Sequence, residues 1–205
     1  MSQYAMLVDV SRCIGCKSCT VACMQENGLQ SGDSWLRVRP RELLTDHLVR
    51  YYIPQSCRHC SDPICVAVCP IGAIKCGEDG LVIHDIEKCI GCQVCVTACL
   101  HGGMKIMNNG KVGKCSFCSH LLQRGKEPAC VTVCPVDARV FGEREVLIRE
   151  AGLRMTDLIS KGTDVYIKGT ENDLTKVLYL LLTLMAHTVA DSKESVTSSD
   201  FHNPI

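Results

Sequence analysis

Between Cys57 and Cys99 the chain carries eight thiols in two runs of four, and no other stretch restricts the fold as strongly. The first run reads Cys57-Arg-His-Cys60-Ser-Asp-Pro-Ile-Cys65-Val-Ala-Val-Cys69-Pro70, and the second reads Cys89-Ile-Gly-Cys92-Gln-Val-Cys95-Val-Thr-Ala-Cys99. Each run ends Cys-x3-Cys. This spacing holds a pair of iron–sulfur clusters, with the fourth cysteine of each run crossing over to the other cluster.

The same units recur outside this stretch. Asp9-Val-Ser-Arg12-Cys13-Ile-Gly15-Cys16 repeats as Asp85-Ile-Glu-Lys88-Cys89-Ile-Gly91-Cys92, and the match continues through Cys19-Thr-Val-Ala-Cys23 and Cys95-Val-Thr-Ala-Cys99. A second repeat class pairs Cys69-Pro70-Ile-Gly-Ala73-Ile74 with Cys134-Pro135-Val-Asp-Ala138-Arg139. In that class the proline stops the short helix that carries the preceding ligands. The fourth motif, Cys115-Ser-Phe-Cys118 and then Cys130-Val-Thr-Val-Cys134, contains an insertion at Ser119–Ala129 that reads as a surface loop.

Because Cys57–Cys99 is self-sufficient as a two-cluster unit, the crossover rule assigns sixteen of the seventeen cysteines to four sets. Set A is Cys13, Cys16, Cys19 and Cys134. Set B is Cys23, Cys115, Cys118 and Cys130. Set C is Cys57, Cys60, Cys65 and Cys99, and set D is Cys69, Cys89, Cys92 and Cys95. The expected cofactors are four [4Fe–4S] clusters, with iron bound through these same sixteen thiols. Pairing the first motif with the second is the competing topology, and it would break the central unit.

The expected fold class is α+β: two bacterial-ferredoxin-like modules related by a pseudo-twofold, one inserted in the other, plus a C-terminal extension. Residues 1–49 and 110–142 would form the split outer module, 50–109 the inner one, and 143–205 the extension, with a loose tail from about 191. Zinc is the main competing metal, yet three thiols within seven residues at Cys13, Cys16 and Cys19 suit three corners of one cubane better than a zinc ribbon. Cys76 lies outside every motif and reads as a small buried hydrophobe. His59, His101 and His120 read as hydrogen-bond donors or surface residues. Arg12, Lys17, Arg58, Lys88 and Lys114, beside ligands, read singly as solvated and together as an offset to cluster charge.

Elsewhere, Tyr4–Val10, Leu48–Ile53 and Asp164–Ile167 read as strands. Arg144–Ser160 reads as a helix interrupted near Gly152. Leu174–Ala190 reads as a helix capped by Asp173, with Leu178, Leu181, Leu182 and Met185 on its apolar face. Its apolar core is too short to span a membrane, so no transmembrane helix is expected. With 22 basic and 22 acidic side chains there is no electrostatic footprint for nucleic acid. Met1–Val10 lacks a leader, which argues against a secreted disulfide scaffold. That leaves the chain cytoplasmic or exported alongside a signal-bearing partner.

The order of the four motifs, with Glu26-Asn27, Trp35-x-Arg37-Val38 and Ala138-Arg139-Val140-Phe141-Gly142, resembles the four-cluster electron-transfer (beta) subunit of the dimethyl sulfoxide reductase family of molybdenum and tungsten enzymes. Relatives serve polysulfide, thiosulfate, tetrathionate, arsenate and formate enzymes. The resemblance covers Tyr4 to about Gly142. It implies a large pterin-containing catalytic partner, often a membrane quinone subunit, and a non-catalytic chain that relays single electrons. Two other functions fit the cysteine pattern: a free-standing polyferredoxin shuttle, and a zinc-binding interaction module.

Overall fold

The computed structural model describes residues 4–44, 48–170 and 175–182. In chain order the elements are β1 (Tyr4–Asp9), α1 (Ser18–Glu26), β2 (Arg37–Leu44), β3 (Leu48–Gln55), α2 (Ile64–Ala67), β4 (Ile74–Cys76), β5 (Val82–His84) and α3 (Val94–Ala98). They continue with β6 (Met104–Ile106), β7 (Val112–Lys114), α4 (Ser119–Leu122), α5 (Ala129–Thr132), β8 (Arg139–Glu143), α6 (Arg144–Ser160), β9 (Val165–Lys168) and β10 (Val177–Leu182). This is a mixed α/β fold with one four-stranded sheet and three two-stranded hairpins among the described residues.

The four-stranded sheet has the order β8-β1-β10-β9. β1 runs antiparallel to β8 and parallel to β10. Its two central strands are buried on both faces. Ala5, Leu7, Leu178 and Leu180 pack against Leu147 and Ala151 of α6. Met6, Val8, Val177, Tyr179 and Leu181 face the opposite way, towards Cys19, Cys23, Cys130 and Phe117. The sheet therefore separates a helical layer from a thiol-rich layer.

This double burial corrects the C-terminal reading. Val177–Leu182 is a strand, not part of a helix, and Leu178, Leu181 and Leu182 belong to it. A strand covered on both faces has a continuous apolar run, which carries no period to separate it from a buried helix. Asp173, Met185 and the tail from about 191 lie outside the described residues. α6 is likewise continuous through Gly152. A glycine there costs about 1 kcal/mol of helix propensity, while Leu147 and Ala151 before it and Met155 and Leu158 after it pack on the sheet. Among the described residues no helix is long and apolar enough to cross a membrane.

Three smaller readings also change. The insertion after Cys118 opens with the short helix α4 instead of running wholly as loop. Cys76 is exposed at the end of β4, not buried. Of the cations beside ligands, Arg58 and Lys114 are buried. Arg58 covers the Tyr179 ring, with its guanidinium 4.7 Å from the centroid.

A second, smaller core gathers Cys65, Ile74, Val82, Cys95, Met104 and Val112. It lies between the helices α2 and α3, which pack on each other, and the hairpins β4–β5 and β6–β7.

Candidate functional site

Each thiol motif bends around a residue in the left-handed backbone region. Gly15 and Lys17, His59, Gly91 and Gln93, and Phe117 and Cys118 all have positive φ. That geometry turns successive amides towards one side, where they can meet negative charge. Phe117 N–H donates to Cys115 Sγ at 3.3 Å. Backbone N–H groups of Gly15 and His59, two residues on, act on Cys13 and Cys57 in the same way. At Gly15 a side chain is barred twice, by φ +73 and by the Tyr52 ring 2.5 Å from where a Cβ would lie.

The motifs are tied together by matching hydrogen bonds. Asp9 N–H donates to Ala138 O at 2.8 Å, and Asp85 N–H donates to Ala73 O at 2.8 Å. Both aspartates also accept from the amide two residues on, Ser11 at 3.0 Å and Glu87 at 3.2 Å. Both pair with the cation three residues on, Arg12 at 3.7 Å and Lys88 at 3.4 Å. The helices follow suit: α1 packs on α5 and α2 on α3.

Two cavities are lined by thiols. One has Cys13, Cys16, Cys19 and Cys134 in its wall, with Arg139 and apolar neighbours such as Val38 and Ala138. The other has Cys69, Cys89, Cys92 and Cys95, with Ile71, Ile74 and Val112. These are the members of sets A and D. The other eight thiols are grouped by their mutual charge effects. Cys23 is pushed up by burial and by Cys115, Cys130 and Cys118. Cys65 is pushed up to about 12 by burial and by Cys57, Cys99 and Cys60.

Burial dominates these thiols. It raises Cys19 and Cys95 to about 11 and Cys115 to about 12. Two thiols are held below their ordinary value: Cys69, where burial is outweighed by the amides of Ile71, Ile74, Ala73 and Gly72, and Cys16, through hydrogen bonds from Ser18. Neighbouring sets also touch electrostatically. Cys130 acts on Cys19, and Cys57 acts on Cys115. Among the thiols of the four motifs, Cys16 and Cys92 are exposed.

Two histidines of the sequence reading are located by contacts. His59 is wholly buried against Phe117, and its Nδ1 accepts from Val82 N–H at 3.1 Å, so it is an acceptor there and not a donor. His120 reaches Glu26 at 2.7 Å and is part exposed. Lys114 Nζ donates to the carbonyls of Val82 and Cys115. Arg139 enters the sequence reading only within the repeat and the Ala138–Gly142 stretch, with no part in a site; the structure puts it in the wall of the cavity of Cys13, Cys16, Cys19 and Cys134. An arginine at a strand start reads as surface, but this one is 2% exposed. Its alignment with Ile74 in the repeat was the available signal.

The donor set fits iron–sulfur clusters. Among the described residues no three Cys, His, Asp or Glu side chains converge on a point suited to one metal ion. Zinc needs its sulfurs about 2.3 Å from a single ion. A cubane takes each thiolate on a different iron, so thiols spread around a cavity, with amides aimed at sulfur, match it.

Comparison with known proteins agrees. The 4Fe-4S dicluster domain matches residues 48–144. The thiosulfate reductase electron transfer subunit of Salmonella typhi is 44% identical over 146 residues, covering 69% of this chain and 76% of that subunit. A tetrathionate reductase subunit of Salmonella typhimurium is 40% identical over 145 residues, covering 69% of this chain and 58% of its own length. A putative dimethyl sulfoxide reductase iron-sulfur subunit of Halobacterium salinarum is 36% identical over 177 residues, covering 70% of this chain and 67% of its own length.

Proposed function

From the premise that this chain belongs to the family of iron–sulfur electron-transfer subunits that includes those of the thiosulfate and tetrathionate reductases, we propose that it relays single electrons through four [4Fe–4S] clusters. The relay joins a molybdopterin-type catalytic subunit to a membrane quinone subunit or another redox partner. The chain itself transforms no substrate, and relatives are named as electron-transfer or iron-sulfur subunits.

The thiols hold the clusters as sets A to D. The outer module, 1–49 with 110–142, encloses the inner one, 50–109, with a pseudo-twofold between them, and α6 packs on the outer sheet. The observation that carries this reading is the matched pair of bonds from Asp9 to Ala138 and from Asp85 to Ala73. Each joins a tight motif to a proline-terminated one, first to fourth and third to second, and no matching bond joins first to second among the described residues.

Bound in these sets, the clusters supply one-electron carriers whose potentials follow charge, hydrogen bonding and exposure. The protein's part is to hold them close and dry. Cys19 beside Cys130 links A to B, and Cys57 beside Cys115 links B to C. The series is A–B–C–D, with electrons entering and leaving near the exposed Cys16 and Cys92.

Iron and sulfide analysis of the purified chain, with its visible absorption, tests the cofactor: about sixteen iron atoms per chain are expected. Affinity capture tests the assembly. A large pterin-containing subunit is expected to co-purify, and a chain that is always recovered alone would defeat the subunit reading in favour of a free shuttle.

A further inference from the structure

Arg139 opens β8 and lies 2% exposed in the wall of the cavity lined by Cys13, Cys16, Cys19 and Cys134. Its Nη2 donates to Met6 Sδ at 2.7 Å, and its Nε and Nη1 have no partner among the described residues. No carboxylate among them pairs with it. A bare guanidinium is not kept in an interior unless an opposite charge faces it. Burial opposes its charge, and Cys130, Cys19, Tyr179 and Cys115 are the groups that offset burial.

The wall of that cavity carries no carboxylate, only thiols that become thiolates on binding iron. The missing counter-charge therefore arrives with the metal. Packing alone does not require the arginine. The repeat puts Ile74 at the matching place, equally buried in the wall of the cavity of Cys69, Cys89, Cys92 and Cys95. Arg58, Lys105 and Lys114 are also buried near thiols; Lys114 is satisfied by two carbonyls, and Arg58 lies over the Tyr179 ring.

We propose that Arg139 is a positioning residue for charge: its unpartnered donors face the thiolates of sets A and B and bias the outer pair of clusters towards the reduced state relative to the inner pair. One electron received from the neighbouring carrier adds one negative charge on that side of the sheet. The guanidinium keeps its proton throughout, so the step moves an electron and no proton.

This inference rests on the four-cluster reading, and the experiment separates the two. The intact complex is titrated with dithionite and redox mediators while cluster signals are followed by electron paramagnetic resonance, with outer and inner signals assigned through Cys16→Ser and Cys92→Ser variants. Four reducible clusters in the unaltered protein test the reading itself. Arg139→Met is then expected to shift the reduction equilibrium of A and B about tenfold towards the oxidised form, which is about 59 mV for one electron. C and D should stay within about threefold, and Arg139→Lys should recover most of the outer shift. Unmoved outer potentials with four clusters present, or an equal shift of all four, would overturn the role. Should Arg139→Met fail to take up iron, Arg139→Lys decides: four clusters with outer potentials near those of the parent support the requirement for charge, and failure of the lysine chain to load refutes it.

Discussion

The inner and outer thiol regions reach similar local geometry from very different reaches of chain. Around sets C and D the strands are neighbours in sequence, Ile74–Cys76 against Val82–His84 and Met104–Ile106 against Val112–Lys114. Around sets A and B the first strand must meet distant ones, with Tyr4 opposite Glu143 and Met6 opposite Val177. Closing long loops costs entropy that local hairpins avoid. The outer region offsets it with two apolar faces on one sheet, whereas the inner region has a single small core; thiols belong to both, Cys19, Cys23 and Cys130 outside and Cys65 and Cys95 inside. Sheet burial thus holds the outer thiols where cluster ligation must do more for the inner ones.

The largest test of this contrast is loss of a crossover ligand. Cys99→Ser is expected to disturb the cluster of Cys57, Cys60 and Cys65 and remove about a quarter of the iron. Cys134→Ser should do the same to the cluster of Cys13, Cys16 and Cys19, with less loss of folded protein because the sheet remains. Damage confined to the cluster of Cys89, Cys92 and Cys95 in the Cys99 variant would break the crossover.

Next comes the sheet. Leu180, fully buried between β1 and β9 and facing α6, is expected to cost about 2–5 kcal/mol on truncation to alanine. A thermal melt should report this, with the inner signals outlasting the outer ones. In the inner region, a Cβ on Gly103 would lie 2.7 Å from Cys57 Cα. Gly103→Ala should therefore cost about 1–3 kcal/mol and perturb the signal of set C first, since Gly103 N–H also donates to Cys99 Sγ at 3.2 Å.

Acidity separates the regions more gently. Loading iron expels thiol protons, so a raised thiol weakens uptake as pH falls. Reconstitution at pH 6 instead of 8 is expected to suppress set B, where Cys115 is held at about 12, more than set D, where Cys69 is held below its ordinary value. In the metal-free chain the sign is opposite. The stability that such raised thiols contribute is present below pH 9 and is lost as pH climbs towards 12, so its melting temperature should fall across that window. The smallest effect is expected from Cys76→Ser, an exposed position, within about 0.5 kcal/mol of the parent and with unchanged iron content.

Much of this was legible in residue spacing, because cluster ligands are constrained by covalent geometry. The tight turns at Gly15 and Gly91, the Asp9 and Asp85 repeats and the strands at Tyr4, Leu48 and Asp164 could all be read from the chain. What could not be read depended on tertiary surroundings. Val177–Leu182 lacks alternation because both its faces are covered. Gly152 does not break α6 because the helix is held on the sheet on either side of it. Arg139 resembles any surface arginine until its burial and its empty donors are seen. Cys76 goes the other way, since a cysteine's usual burial says nothing of a β4 end that faces solvent.

The parallel pairing of β1 with β10 has a consequence for synthesis. At about 5–20 residues per second on the ribosome, β1 waits roughly ten to thirty-five seconds for its neighbour Val177–Leu182 to be made. Every inner thiol has emerged well before then. Iron delivery to a nascent chain therefore has a natural timetable, with sets C and D available early and the outer pair sealed only once β10 has been made.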